Sequence, residues 1–197
     1  MNSAAVNLLL AVFLLAANAF YVAAEFALVK SRGFRIKAMA EIPSTYNAVY
    51  SPDGKRIAFI SNRSGTPQVW LVDAAGEGAK QIPQTTDPVG SLAWSPVDDT
   101  IAYDVARGGG YNAQVFLSRP DGTEVSRITS GGKEDNYIGA FAPDGRFWFR
   151  SNLRDPQAPD SWIYDPRSGK AAIAIKYDGL GGINDIERPG NRALISR

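Results

Sequence analysis

Two patterns of apolar residues divide the chain. From Ala4 to Val29 the residues are almost wholly apolar, interrupted by Asn7, Asn18 and one charge, Glu25. Beyond Glu41 the apolar residues come only in short runs, separated by Gly, Pro, Asn and Asp. The first pattern predicts a helix and the second a series of short strands.

The first run is long enough to span a bilayer, which needs about 20 apolar residues. Lys30, Arg32, Arg35 and Lys37 follow it, and no Lys or Arg precedes it. The positive-inside rule then predicts a single pass with the N-terminus outside and the remainder cytoplasmic. Glu25 falls near the inner interface, where a carboxylate reaches water. A cleaved signal is the alternative. Ala17-Asn18-Ala19 has the small-x-small form of a cleavage site after the Leu8–Ala16 core, and a cut near Ala19 would leave a periplasmic or secreted protein. A long buried helix of a globular domain is the third reading.

The second pattern repeats. Val49-Tyr50-Ser51-Pro52-Asp53-Gly54-Lys55-Arg56-Ile57-Ala58-Phe59 aligns with Ala93-Trp94-Ser95-Pro96-Val97-Asp98-Asp99-Thr100-Ile101-Ala102-Tyr103. Both align with Ala140-Phe141-Ala142-Pro143-Asp144-Gly145-Arg146-Phe147-Trp148-Phe149, and a weaker copy starts at Pro189-Gly190. Ser51 to Ser95 is 44 residues and Ser95 to Ala142 is 47. That period fits a four-stranded propeller blade. In the first blade the predicted strands are Tyr46–Tyr50, Arg56–Ser61, Gln68–Asp73 and Lys80–Pro83. In the last copy they are Ile183–Ile186 and Ala193–Ser196, and no stretch beyond residue 41 has helical periodicity. Tyr50, Trp94 and Phe141 recur at one position; Trp70, Phe116 and Trp162 recur at another. Aromatics at a blade period predict packing between blades.

The expected fold is therefore all-β. A transmembrane helix with a basic cytoplasmic flank occupies residues 1–41, and an incomplete β-propeller of about three and a half blades occupies 42–197. The blades fall at about 42–87, 88–133 and 134–181, with a partial one at 182–197. Such a chain is expected to be a truncated or fused product, able to self-associate through its open ends.

Composition removes most catalytic chemistry. There is no His and no Cys, so no Ser-His-Asp triad, imidazole base, cysteine nucleophile or thiolate zinc site. Twenty-one basic residues against 20 acidic ones give no electrostatic footprint for nucleic acid. Ser130-Gly131-Gly132-Lys133 has the Ser-x-x-Lys form but lacks its partner motifs and lies in a Gly-rich link. Gly108-Gly109-Gly110 lacks the Gly-Lys-Ser/Thr of a phosphate loop and reads as an extended hairpin. Asp98, Asp99 and Asp104 lack calcium-loop spacing. Asn62-Arg63-Ser64 is a sequon that matters only on a eukaryotic secretory route. No catalytic, cofactor-binding or metal-binding residue is assigned, and no cofactor is expected.

Two resemblances add to this. Residues 42–197, with the Ser-Pro-Asp-Gly-Lys-Arg-Ile-Ala-Phe type of repeat, resemble the TolB-type propeller and the propeller domain of the prolyl oligopeptidase family. Such propellers usually work outside the cytoplasm. In the peptidases a separate hydrolase domain carries the triad and the propeller filters substrate. Phe147-Trp148-Phe149-Arg150-Ser151-Asn152 and Trp162-Ile163-Tyr164-Asp165 lean toward the peptidases. No Gly-x-Ser-x-Gly elbow is present, nor the Glu-Glu pair of dipeptidyl-peptidase relatives. Residues 1–41, with Ala-Glu-Phe-Ala-Leu at 24–28, resemble the first transmembrane helix of CorC/CNNM magnesium transporters. One helix cannot shelter a transport pathway, so that activity does not carry over.

The resulting expectation is a non-catalytic, membrane-tethered propeller fragment. It would act as an interaction or substrate-gating module for a protein or peptide partner. The alternatives are the propeller portion of a prolyl oligopeptidase-like serine peptidase and a piece of a CorC-type transporter fused to a propeller.

Overall fold

The computed structural model describes Leu10 and residues 12–22, 43–82, 85–186 and 193–196. The chain divides at Pro43/Ser44 into two units. In the first, Leu10 and Val12 to Val22 are helical. No helix among the described residues is long and apolar enough to cross a membrane. The expected span is thus not supported. The basic flank at Lys30, Arg32, Arg35 and Lys37 lies outside the described residues.

The second unit is mostly β. Sheet 1 holds β1 (Thr45–Tyr50), β2 (Arg56–Ser61), β3 (Gln68–Asp73) and β4 (Lys80–Gln81). Sheet 2 holds β5 (Val89–Trp94), β6 (Ile101–Ala106), β7 (Ala113–Ser118) and β8 (Ser126–Arg127). Sheet 3 holds β9 (Asn136–Phe141), β10 (Phe147–Ser151), β11 (Asp160–Asp165) and β12 (Lys170–Ile175). β13 (Gly182–Ile186) and β14 (Ala193–Ser196) form an antiparallel pair. Within every sheet the strands lie in sequence order, each antiparallel to the next. The link between β6 and β7, expected as an extended hairpin, contains a 3-10 turn at Arg107–Gly109.

Local chemistry explains the hairpins. After β1, Ser51 Oγ donates to Asp53 Oδ1 at 2.6 Å and the Gly54 N–H donates to the Ser51 carbonyl at 2.9 Å. Gly54 has φ +68, which closes the turn without the strain a side chain would bring. Each inner strand also carries a bulge against its neighbour: between Tyr46 and Val49, between Val89 and Leu92, and opposite Phe147–Phe149. In sheet 3 the bulge needs Gly139, because an added Cβ there would fall on the Trp148 carbonyl oxygen.

The core lies between sheets. Alternate residues of a strand point to opposite faces. Ile101, Tyr103 and Val105 of β6 pack with Ala58, Ile60 and Val69 of sheet 1. Ala102, between them in sequence, joins Val115 and Leu117 against Phe147 and Phe149 of sheet 3. Sheet 2 is therefore apolar on both faces, and the three sheets stack in sequence order. The polar turns add a tie: Arg56 of β2 reaches Asp99 in sheet 2 at 2.7 Å, with its guanidinium 5.2 Å from the Trp94 ring centre.

Candidate functional site

The recurring aromatics come together in the seams. Tyr103 stands opposite Phe116 in the β6–β7 register, with ring centres 5.8 Å apart, on the side of sheet 2 that meets sheet 1. Phe149 stands opposite Trp162 at 6.2 Å, on the side of sheet 3 that meets sheet 2. Trp94 and Phe141 lie in the same two clusters. The packing role expected from the period holds for these four positions. Tyr50 is 65% exposed. Tyr50, Phe59 and Trp70 belong to the face of sheet 1 turned away from sheet 2, since Ala58 and Ile60 occupy the other face. There the Arg63 guanidinium lies 5.3 Å from the Phe59 ring centre and 4.9 Å from that of Trp70. Such stacking holds a cation over an aromatic face.

The links between sheets are held by one buried polar residue at the start of each third strand. Gln68 Nε2 donates to the Asp87 carbonyl at 3.0 Å, and Gln114 Nε2 donates to the Glu134 carbonyl at 3.3 Å. In sheet 3 the place is taken by Asp160, which accepts from Arg154 and from the Tyr177 N–H at 3.0 Å. The Arg154 hydrogen bonds hold the Asp160 carboxyl below the ordinary carboxylate range, against the opposing effect of its burial.

The motifs singled out from the sequence serve the fold. Ser130 Oγ donates to Glu134 Oε1 at 2.6 Å, and the Gly131 N–H donates to the same oxygen at 3.1 Å. Asp104 is buried and accepts from the Gly90 and Ser91 N–H groups at 3.0 and 2.6 Å, holding the β5 bulge. Burial pushes its carboxyl above the ordinary range. Asp99 is engaged by Arg56. Asn62 Oδ1 accepts from the Ser44 N–H at 2.6 Å. Among the described residues no group of three acids is placed to hold a metal ion.

A cleft opens on the side of sheet 2 that meets sheet 1, beside the link between the two sheets. Its volume is about 360 Å³, and Tyr103, Val105, Phe116 and Val125 line it together with Thr85, Asp87 and Arg107. The sequence offered no sign of it. Its lining residues are unremarkable singly, and only the folding of β6, β7 and the approach to β8 against the link at Thr85 and Asp87 assembles them.

No family model matches the chain. A stretch of 45 residues, 23% of the chain, is 41% identical to the Tol-Pal system protein TolB of Anaeromyxobacter dehalogenans, of which it spans 10%. Among solved structures, TolB from Acinetobacter baumannii superposes with a TM-score of 0.61 at 19% identity, over 77% of this chain and 37% of that one. Prolyl oligopeptidase B from Galerina marginata gives 0.56 at 13% identity, over 78% of this chain and 24% of that one. The chain thus spans well under half of each relative. The likeness is to propeller proteins and concerns the fold. It supports the TolB-type resemblance of the repeat. The resemblance of residues 1–41 to the CorC/CNNM helix finds no support.

Proposed function

We propose that the chain is a non-catalytic, TolB-like propeller module that binds a protein or peptide. Its four-stranded sheets are then blades, bounded at about 42–87, 88–133 and 134–181, with a partial blade at 182–197. The observation that carries this reading is the stack itself: like sheets joined by aromatic seams, with a TolB structure as a neighbour at a TM-score of 0.61. A sequence without His or Cys adds to it, because the usual bases and thiol nucleophiles are missing. An exported location accords with the TolB-like match, and Ala17-Asn18-Ala19 would serve as the cut. Self-association through exposed strand edges belongs to the same reading.

The second reading is the propeller portion of a prolyl oligopeptidase-like peptidase, favoured by the Galerina marginata neighbour. Photocrosslinking of the full chain in its own cells separates the two. The module reading expects a saturable crosslink from an exposed position such as Tyr111 to a discrete protein. It fails if the purified chain hydrolyses prolyl substrates and loses that turnover when one of its serines is replaced.

A further inference from the structure

The cleft on the sheet 1 side of sheet 2 has a composition that specifies an occupant. Its floor is the stacked pair Tyr103–Phe116, with Val105 and Val125 beside it. These four residues face sheet 1 from β6, from β7 and from the approach to β8. At about 360 Å³ the cleft falls within the size range of small ligand pockets, roughly 300–1,000 Å³. Over this floor stands Arg107, whose guanidinium is 5.7 Å from the Phe116 ring centre. Among the described residues no carboxylate pairs with Arg107, whereas Arg56, Arg119, Arg146 and Arg154 each have one. Asp87, on the same cleft, keeps Oδ1 on the Gly108 N–H at 2.9 Å. Its second carboxylate oxygen has no such bond among the described residues.

We propose that this cleft takes an acidic–aromatic segment of a partner protein. The aromatic side chain lies on Phe116 and Tyr103, the neighbouring carboxylate pairs with Arg107, and a backbone N–H of the segment donates to Asp87. The apolar floor supplies contact area, and the unpaired cation selects the sign of the charge beside it. The proposal rests on the interaction-module reading and gives it a site.

The test is an NMR titration of the full chain with acetyl-Asp-Phe-amide and with acetyl-Lys-Phe-amide. Shifts are expected at Tyr103, Val105, Phe116 and Val125, and the Asp probe should bind about tenfold tighter, a difference of about 1.4 kcal/mol. Arg107 is exposed, so Arg107→Glu should fold normally and reverse the preference. Val125 is 51% exposed, so Val125→Trp should fill the cleft and abolish both titrations. Equal affinity for the two probes, shifts away from the cleft, or no reversal in Arg107→Glu would overturn the proposal. A partner crosslink that survives both substitutions also overturns it, while leaving the module reading standing. Serine-dependent turnover would instead remove the module reading.

Discussion

Gln68 of β3 and Asp160 of β11 occupy the same register position in two different sheets. Each is buried, and each stands opposite the serine that ends the preceding strand, Ser61 or Ser151. Gln68 donates to the Asp87 carbonyl on the way into sheet 2. Asp160 accepts from the Tyr177 N–H on the way into β13. One position thus tethers each sheet to the segment that follows it, with the polarity of the hydrogen bond reversed in the third.

Gln114 is the middle member of this series and the most fully engaged. Besides donating to Glu134, its Oε1 accepts from Thr129 Oγ1 at 2.7 Å and from the Gly131 N–H at 2.9 Å. Gln114→Leu keeps the volume and removes these hydrogen bonds from a buried side chain. The expected loss is about 2–3 kcal/mol, since each buried unsatisfied group costs about 1–3 kcal/mol. Chemical denaturation of the full chain checks it, with an unchanged m-value as the sign that only stability has moved.

The two buried aspartates predict opposite pH responses. The folded pKa of Asp160 is lowered, chiefly by Arg154. Its contribution is therefore present above the unfolded value of 3.8 and is lost as pH falls through the folded value. The folded pKa of Asp104 is raised, chiefly by desolvation. Its contribution is fully present below 3.8 and is lost as pH rises through the folded value. Asp160→Asn removes the ion pair with Arg154 and should destabilise the fold at neutral pH and flatten the acid limb of the stability curve. Asp104→Asn keeps an acceptor for Gly90 and Ser91 and should be better tolerated at pH 7 than at pH 4. Thermal melts of the three proteins between pH 3 and 8 compare these signs.

Much of this architecture was legible from the repeat. The strands Arg56–Ser61, Gln68–Asp73 and Ala193–Ser196 fall where alternation and turn residues placed them. β4 ends at Gln81, but the ladder continues through the Ile82 N–H to the Val69 carbonyl at 2.7 Å; Pro83 lies outside the described residues. Other features were hidden for physical reasons. Tyr50, Trp94 and Phe141 look alike in sequence, yet only the last two meet a neighbouring sheet, because Tyr50 belongs to the outward face of sheet 1. Asp104 reads as a surface acid until the β5 bulge turns two N–H groups toward it. Gln68 and Gln114 carry no signal, since a buried glutamine and a solvated one are spelled alike.

Gly139 offers a sharp backbone test. A methyl group there meets the Trp148 carbonyl across the bulge, and neither strand can yield without losing ladder bonds. Gly139→Ala is expected to destabilise by about 1–3 kcal/mol, the range for overpacking. Gly179→Ala should be nearly silent, since nothing lies within 4 Å of the added group. Paired denaturation curves decide between a steric cause and a general dislike of alanine.

The module reading predicts no hydrolysis by this chain. Without His a serine lacks its usual base, and no Gly-x-Ser-x-Gly elbow presents one. Prolyl and aminoacyl chromogenic substrates should turn over no faster than in a mock purification.

The proposed cleft lies on the side of sheet 2 that meets sheet 1, and the module reading requires both seams to exist as described. The direct measurement is a set of side-chain NOEs on the methyl- and aromatic-labelled full chain. Contacts are expected across both seams: from the Tyr103 ring to Ile60 and Val69, and from the Phe149 and Trp162 rings to Val115 and Leu117. Intact ladder NOEs within each sheet, with none of these contacts between sheets, would contradict the stack and the module built on it.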